Sequence, residues 1–205
     1  MTAAWNKPAV KGGDEFSKLL NPNKVLSQEE LKIVKAVRSD IGLPSAETKM
    51  NKTIPQSDIY KYLNGEYSGV RGFVSVDEHS SALKGLDSVY EGNRLDYNNT
   101  LFKIGYGVDG VSKYGGAPDT VYGKITYILD DEGSVNLPTS VPTPDNAPYT
   151  GRGFTGSKNI VLPEIYQTDV GFKTGDLLGI FDSKTGDIVT QFCYDKKLGE
   201  WILLE

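Results

Sequence analysis

The chain has 205 residues, of which 38% are hydrophobic and 24% charged, a balance typical of a folded protein rather than a disordered one. Its formal net charge of −5 counts against a protein that binds nucleic acid mainly through phosphate contacts. The single cysteine, Cys193, excludes an intrachain disulfide and a thiolate zinc cluster, and the single histidine, His79, excludes an HExxH metal site. We therefore expect chemistry without a metal ion.

The first third of the chain predicts helices. Residues 1–24 are polar, with glycines and prolines, and are expected to form a loosely packed arm. A capping box at Ser27–Glu30, followed by apolar residues at helical spacing, predicts a helix over residues 28–40. Pro55 lies near the first turn of a second predicted helix, which begins in residues 52–58 and ends at Asn64-Gly65.

The rest of the chain predicts a sheet. A helix is expected over residues 77–90, although Gly85 interrupts its pattern. Alternating or β-branched runs predict strands at residues 70–76, 100–106, 121–129, 177–181, 188–194 and 201–204. The predicted class is α+β, with N-terminal helices followed by a mostly antiparallel, twisted β-sheet domain. We divide the chain into an arm and helix at residues 1–51 and a mixed α+β domain at residues 52–205. No apolar run is long enough to span a membrane.

The stretch YTGRGFTGSKNIVLPEIY, residues 149–166, combines glycines, hydroxyls and an arginine with an apolar run. Glycines allow close backbone approach, and the polar groups supply donors for an anionic or sugar-like ligand. The run at residues 160–162 predicts a short buried strand with Glu164 at its exit. Such a carboxylate can stabilise an oxocarbenium-like centre, and the alternative is a solvated glutamate on an edge. Tyr149 and Tyr166 flank the stretch as candidate stacking partners.

Two further residues carry weaker signals. Arg71 is flanked by Gly69 and Gly72, which leave room for a ligand, so its guanidinium could hold a pyrophosphate; the alternative is a surface arginine. His79 follows Asp77-Glu78, a composition typical of a helix start, and this favours a solvated residue over a catalytic base.

With these residues in hand, residues 52–205 resemble a C-terminal toxin domain of bacterial polymorphic toxins, the contact-dependent, LXG- or Rhs-type secreted proteins. The resemblance is carried by IPQSDIYKYLNG, VRGFVSV, NRLDYNN, PYTGRGFTGSKNIVLPEIY, GDLLGIFD and YDKKLGEW. It implies that the N-terminal helices are the stub of a larger carrier, which is secreted or delivered into the cytoplasm of a target cell. A cognate immunity protein is then expected as a partner.

Many such domains have an ADP-ribosyltransferase-like fold that consumes NAD. The resemblance implies a strand-borne arginine, matched by Arg71; an aromatic-hydroxyl strand, matched by Phe154-Thr155-Gly156-Ser157; and a late glutamate, matched by Glu164. The leading hypothesis is an NAD-consuming enzyme that transfers ADP-ribose to a target or hydrolyses NAD. Residues expected to bind the NAD are Arg71, Tyr149, Arg152, Phe154, Thr155, Ser157 and Tyr166.

Two alternatives stay open. One is a metal-independent ribonuclease toxin that depends on Arg152, Lys158 or His79. The other is no enzyme but an acidic binding module, such as an immunity or adaptor protein, whose tyrosines and proline-rich loop form an interface.

Overall fold

The computed structural model describes residues 19, 25–40, 42–95, 100–104, 117–137, 155 and 162–205, which are called the described residues below. They contain four α-helices: α1 Gln28–Ser39, α2 Gln56–Leu63, α3 Asp77–Ser80 and α4 Leu86–Gly92. The strands are β1 Lys49–Ile54, β2 Gly69–Val76, β3 Val121–Ile128, β4 Val135–Asn136, β5 Ile165–Gly171, β6 Leu177–Asp182, β7 Ile188–Asp195 and β8 Glu200–Leu204. A 3₁₀ turn, Glu132–Ser134, precedes β4.

All eight strands form one sheet in the order β4-β5-β2-β1-β3-β6-β7-β8. Every neighbouring pair in this order is antiparallel. The predicted α+β class with an antiparallel sheet is therefore confirmed. The helices are not confined to the N-terminal side, however, because α2, α3 and α4 all follow β1 in the chain.

The central strand β1 was not predicted from the sequence. All six of its residues pair with β3, whereas it pairs with β2 only through Met50 and Asn51. Its polar residues hide the two-residue alternation of a strand, because Asn51 is buried as deeply as the apolar Met50. The division proposed between residues 51 and 52 falls inside this strand and stays a prediction.

The predicted helices are found, with one change. The capping box of α1 forms, because the Glu30 backbone N–H donates to Ser27 Oγ at 3.3 Å and the Ser27 N–H donates to Glu30 Oε2 at 2.8 Å. The second predicted helix is α2, which starts directly after Pro55. The single helix expected over residues 77–90 is wrong: α3 and α4 are separate, since Gly85 has a φ of 75° that a continuous helix cannot accept.

Buried apolar side chains form two clusters on the sheet. The first core joins α2 to the strands and includes Met50, Ile54, Ile59, Tyr62, Val74, Ile125, Tyr127, Leu178 and Trp201. The second core packs α4 against the sheet and includes Leu83, Leu86, Val89, Tyr90, Phe102, Ile104, Tyr122 and Leu162.

The strand predictions over residues 70–76, 121–129, 177–181, 188–194 and 201–204 are confirmed by β2, β3, β6, β7 and β8. The one expected at residues 100–106 is wrong for its described part, residues 100–104. There Lys103 exchanges hydrogen bonds with Asp119 instead of a neighbouring strand: its N–H donates to Oδ2 at 3.0 Å, and its carbonyl accepts from the Asp119 N–H at 2.8 Å. This segment lies outside the sheet.

The strand expected at residues 160–162 is not seen at Leu162, the only described residue of the three. The strand instead begins three residues later, at Ile165, and forms β5. Glu164 therefore precedes a strand rather than following one. Sequence inspection missed β5 because it buries a polar residue, Gln167, at a position where the alternation calls for an apolar one.

Candidate functional site

The carboxylate of Glu164 lies where β5 joins the sheet. β5 pairs with β2 through Val74 and Ile165, and continuing this register by one position brings Glu164 beside Ser75. Glu164 is only 7% exposed, and the nearby Leu162 and Ile165 are also buried. The interpretation of Glu164 as a solvated edge glutamate is therefore wrong.

An exposed aromatic pair lies next to this carboxylate. Phe73 and Tyr166 face each other across the β2–β5 pair, with ring centroids 5.6 Å apart and planes at 89°. They are 42% and 40% exposed, which is unusual for two large aromatic side chains in contact. Because residues two apart on an extended chain share a side, Tyr166 and Glu164 project to the same surface of the sheet. The pair offers ring faces to a planar ligand group beside a buried carboxylate.

A buried polar network continues the surface beyond Ser75. The Ser75 hydroxyl donates to Asn51 Oδ1 at 2.8 Å. The Asn51 amide in turn donates to Ser80 Oγ at 2.6 Å and to Asp77 Oδ1 at 3.3 Å. Asn51, which is 2% exposed, thereby ties β1 and β2 to α3, and we call these four residues the Asn51 network. These hydrogen bonds fix the strand surface next to Glu164 in one arrangement.

Lys124 on β3 lies at the far side of the Asn51 network. Its ammonium is 5.3 Å from the centre of the Phe181 ring and 5.9 Å from that of Tyr122. Burial lowers the pKa of Lys124, and the charge of Asp77 opposes that shift. A cation over two aromatic rings is stabilised by their negative faces, so this lysine has a structural explanation.

His79 on α3 is half-buried, which corrects the expectation of a solvated residue. Its Nδ1 atom is buried and has no hydrogen-bond partner among the described residues. Burial lowers the pKa of His79, and the nearby Glu78 opposes the shift. The imidazole is therefore neutral at pH 7.

Arg71 is exposed on β2 and is not placed beside Glu164. It lies four residues from Ser75 along the strand, a separation of about 13 Å at 3.3 Å per residue. Its charge acts instead on Lys52 and Tyr62, at the edge of the first core. Lys52, which the sequence did not single out, is half-buried, and burial lowers its pKa to about 8.

Thr155 is buried and is hydrogen-bonded to Leu162. Its N–H donates to the Leu162 carbonyl at 2.7 Å, and its Oγ1 accepts from the Leu162 N–H at 3.0 Å. The expected aromatic-hydroxyl strand is not seen at Thr155, the one described residue of that group. The remaining predicted site residues lie outside the described residues: Tyr149, Arg152, Phe154, Ser157 and Lys158.

Among the described residues, no group of three or more His, Cys, Asp or Glu side chains is arranged to hold a metal ion. No helix in the described part of the chain is both long and apolar enough to cross a membrane. No protein-family model, curated protein or solved structure matches the chain.

Proposed function

We propose that this protein consumes NAD by breaking the bond between nicotinamide and ribose, through ADP-ribosyl transfer to a target or through hydrolysis. One observation carries the proposal: the buried carboxylate of Glu164 lies beside the exposed Phe73–Tyr166 pair on one surface of the sheet. The oxidised nicotinamide ring is planar and cationic, and the faces of aromatic rings attract such a group. The same arrangement needs neither a thiol nor a metal ion.

The chemistry follows from the charges. As the glycosidic bond breaks, its electron pair leaves with nicotinamide, which becomes neutral, and positive charge develops on the ribose. The Glu164 carboxylate stabilises that charge, and the interaction is stronger in a buried site than in water. Water or a nucleophile of the target then attacks the sugar carbon and loses a proton. Ser75, beside Glu164, is placed to orient the ribose or the carboxylate.

The wider proposal is a toxin domain of interbacterial competition. It is secreted or delivered into a target cell as part of a larger protein, and it is neutralised by an immunity protein. In this proposal Tyr149, Arg152, Phe154, Thr155 and Ser157 complete the NAD site, and Arg71 holds the phosphates. A basic surface on the immunity protein would complement the net charge of −5.

The test is induced expression of the full chain in bacteria, with total NAD, growth and tRNA integrity measured together. The full chain is required because a start at residue 52 would divide β1. We expect NAD to collapse with the unchanged protein and with Glu66→Gln, a matched change at an exposed glutamate. Glu164→Gln should leave NAD intact while circular dichroism shows the fold retained.

The other outcomes are informative. Full NAD loss with Glu164→Gln would refute the role of this carboxylate. Growth arrest with cleaved tRNA and intact NAD would favour the ribonuclease. Normal growth, with no turnover of NAD by the purified protein, would favour the alternative of a non-enzymatic binding module.

A further inference from the structure

The described sheet has two different edge strands. At one end lies β4, which has only two residues, Val135 and Asn136. At the other end lies β8, whose five residues pair with β7 without a bulge. An edge strand presents a row of backbone N–H and C=O groups that can pair with a further strand. β8 therefore offers a longer row for such pairing than β4.

β8 lacks the features that protect an edge strand from pairing. These features are lysine side chains, prolines, bulges and short length. Residues 201–204 of β8 are Trp, Ile, Leu and Leu, with no charge among them. Ile202, Leu203 and Leu204 are 42%, 57% and 43% exposed. Because successive residues of a strand point to opposite faces, β8 exposes apolar surface on both faces of the sheet.

A strand that covers this edge needs apolar residues on both of its own faces, and β8 itself meets that requirement. We propose that β8 pairs antiparallel with β8 of a second copy, so that the sheet continues from one copy into the other. A two-fold axis perpendicular to the sheet aligns the faces of the two strands. The register is centred on Ile202, which lies opposite Ile202 of the other copy. The inference does not depend on the proposed function.

This register extends the first core across the two copies. Residues that lie opposite each other in an antiparallel pair are close neighbours on the same face, so Leu203 of each copy meets Trp201 of the other. Trp201 is buried, and its ring centre lies 5.0 Å from that of Phe172 and 5.2 Å from that of Tyr194. The pairing therefore takes the exposed Leu203 side chain out of water and packs it against an existing aromatic cluster.

The charges at the two ends of β8 are complementary in the same register. Glu205 of one copy lies opposite Gly199 of the other, next to the turn that contains Lys196 and Lys197. All three charged side chains are exposed. The two-fold axis repeats this attraction at the other end of the pair. This local complementarity favours a second copy of the chain as the partner, although each copy has a net charge of −5.

The contact is small, so the dimer should be weak. An interface confined to one five-residue strand lies below the roughly 1,200 Å² at which standard protein interfaces begin. We therefore expect a dissociation constant in the micromolar range.

The test is sedimentation velocity of the full chain between about 1 and 200 µM. The wild type should shift from a 22.4 kDa monomer towards twice that mass as its concentration rises. Leu203→Lys places a charge on the edge and should raise the dissociation constant about tenfold or more. The matched control is Val189→Lys, because Val189 is 60% exposed on β7 outside the β7–β8 pairing. This control should dimerise like the wild type.

Charge reversal tests the register. Glu205→Lys and Lys197→Glu should each raise the dissociation constant about fivefold, because each replaces two attractive contacts by repulsive ones. The double variant should recover most of the affinity, and a double variant without recovery would overturn the register centred on Ile202. A chain that stays monomeric at every concentration would overturn the proposed dimer. Loss of the dimer in Val189→Lys but not in Leu203→Lys would also overturn it, because the contact would then lie on a face of the sheet.

Discussion

Asn51 and Lys52 are consecutive residues of β1 whose side chains project to opposite faces of the sheet. On one face, the Asn51 amide is hydrogen-bonded to Ser75, Asp77 and Ser80. On the other, the Lys52 ammonium has no direct partner among the described residues. The buried Asn51 is thus fully hydrogen-bonded, whereas the half-buried Lys52 on the other face of the same strand is not.

The difference separates a polar group that stabilises the fold from one that destabilises it. A buried polar group that is fully hydrogen-bonded fixes the strands around it, and removing it leaves its partners unsatisfied. A partly buried charge without a direct partner lowers stability, because water solvates it less well in the folded state. Asn51 should therefore stabilise the folded protein and Lys52 should destabilise it, and substitution of each residue tests this contrast.

The largest effect is expected from Asn51→Leu. The change leaves the buried Ser75 hydroxyl without its acceptor and removes the amide that donates to Ser80 Oγ and Asp77, so we expect the free energy of unfolding to fall by about 3 kcal/mol. Urea denaturation at pH 7 measures it. Thr53→Val, on the same strand, is the matched control and should change stability by less than about 1 kcal/mol. Equal effects of both changes would contradict the structural role of Asn51.

An effect of opposite sign is expected from Lys52→Met. Because its pKa is lowered to about 8 in the folded protein, the unfolded chain binds the proton more tightly between this value and 10.5. Stability of the unchanged protein therefore rises with pH across that window. Below it, the full cost of the buried charge is present, so Lys52→Met should stabilise the protein on the order of 1–2 kcal/mol at pH 7.

The pH dependence distinguishes this explanation from a simple gain of apolar packing. The advantage of Lys52→Met should shrink as the pH rises from about 8 towards 10.5, because the wild-type amine loses its charge. Urea denaturation across that range provides the measurement. A variant that is less stable than the wild type at pH 7 would show that the lysine is stabilising, and the contrast with Asn51 would fail.

The smallest effect is expected from His79→Gln, next to the Asn51 network. Burial lowers the pKa of His79 below its ordinary value of 6.5, so the unfolded state binds the proton more tightly than the folded state. The free energy of unfolding therefore falls as the pH drops below 6.5. The variant should lose this decrease in the free energy of unfolding at acidic pH, which amounts to less than about 1 kcal/mol. Unfolding free energies at about pH 5 and pH 7 test this. If the variant and the wild type show the same difference in unfolding free energy between the two pH values, a group other than His79 causes it.

Much of the fold could be predicted from the sequence, because local signals decide it. The capping box of α1, the alternation of β3 and the turn between β6 and β7 each lie within a short stretch of chain. The misses, β1 and β5, are strands that bury polar residues, Asn51 and Gln167. Their hydrogen-bond partners come from distant segments, and no local pattern reveals them. For Gln167 these are the Tyr127 hydroxyl at 2.8 Å and the Ser134 carbonyl at 2.9 Å.

The candidate site was predicted less completely than the fold. Glu164 and Tyr166 were identified from the composition of their loop, and the structure places them on one surface. Phe73 was read only as part of a strand, since its partner lies across the β2–β5 pair. Lys52 was assigned to the start of the second predicted helix, because no local pattern reveals the strand β1 to which it belongs. Sequence patterns indicate residue types, whereas juxtaposition depends on the register of the sheet.

The pairing of β2 with β5 also sets when the candidate site can first exist during translation. Phe73 is synthesised about ninety residues before Tyr166, its partner in the aromatic pair. At 5–20 residues per second, the ribosome takes roughly 5 to 20 seconds to cover that interval. Throughout it, a nascent chain carries one half of the aromatic pair and no Glu164. A cell that makes this protein therefore holds no assembled site on an unfinished chain until β5 has emerged.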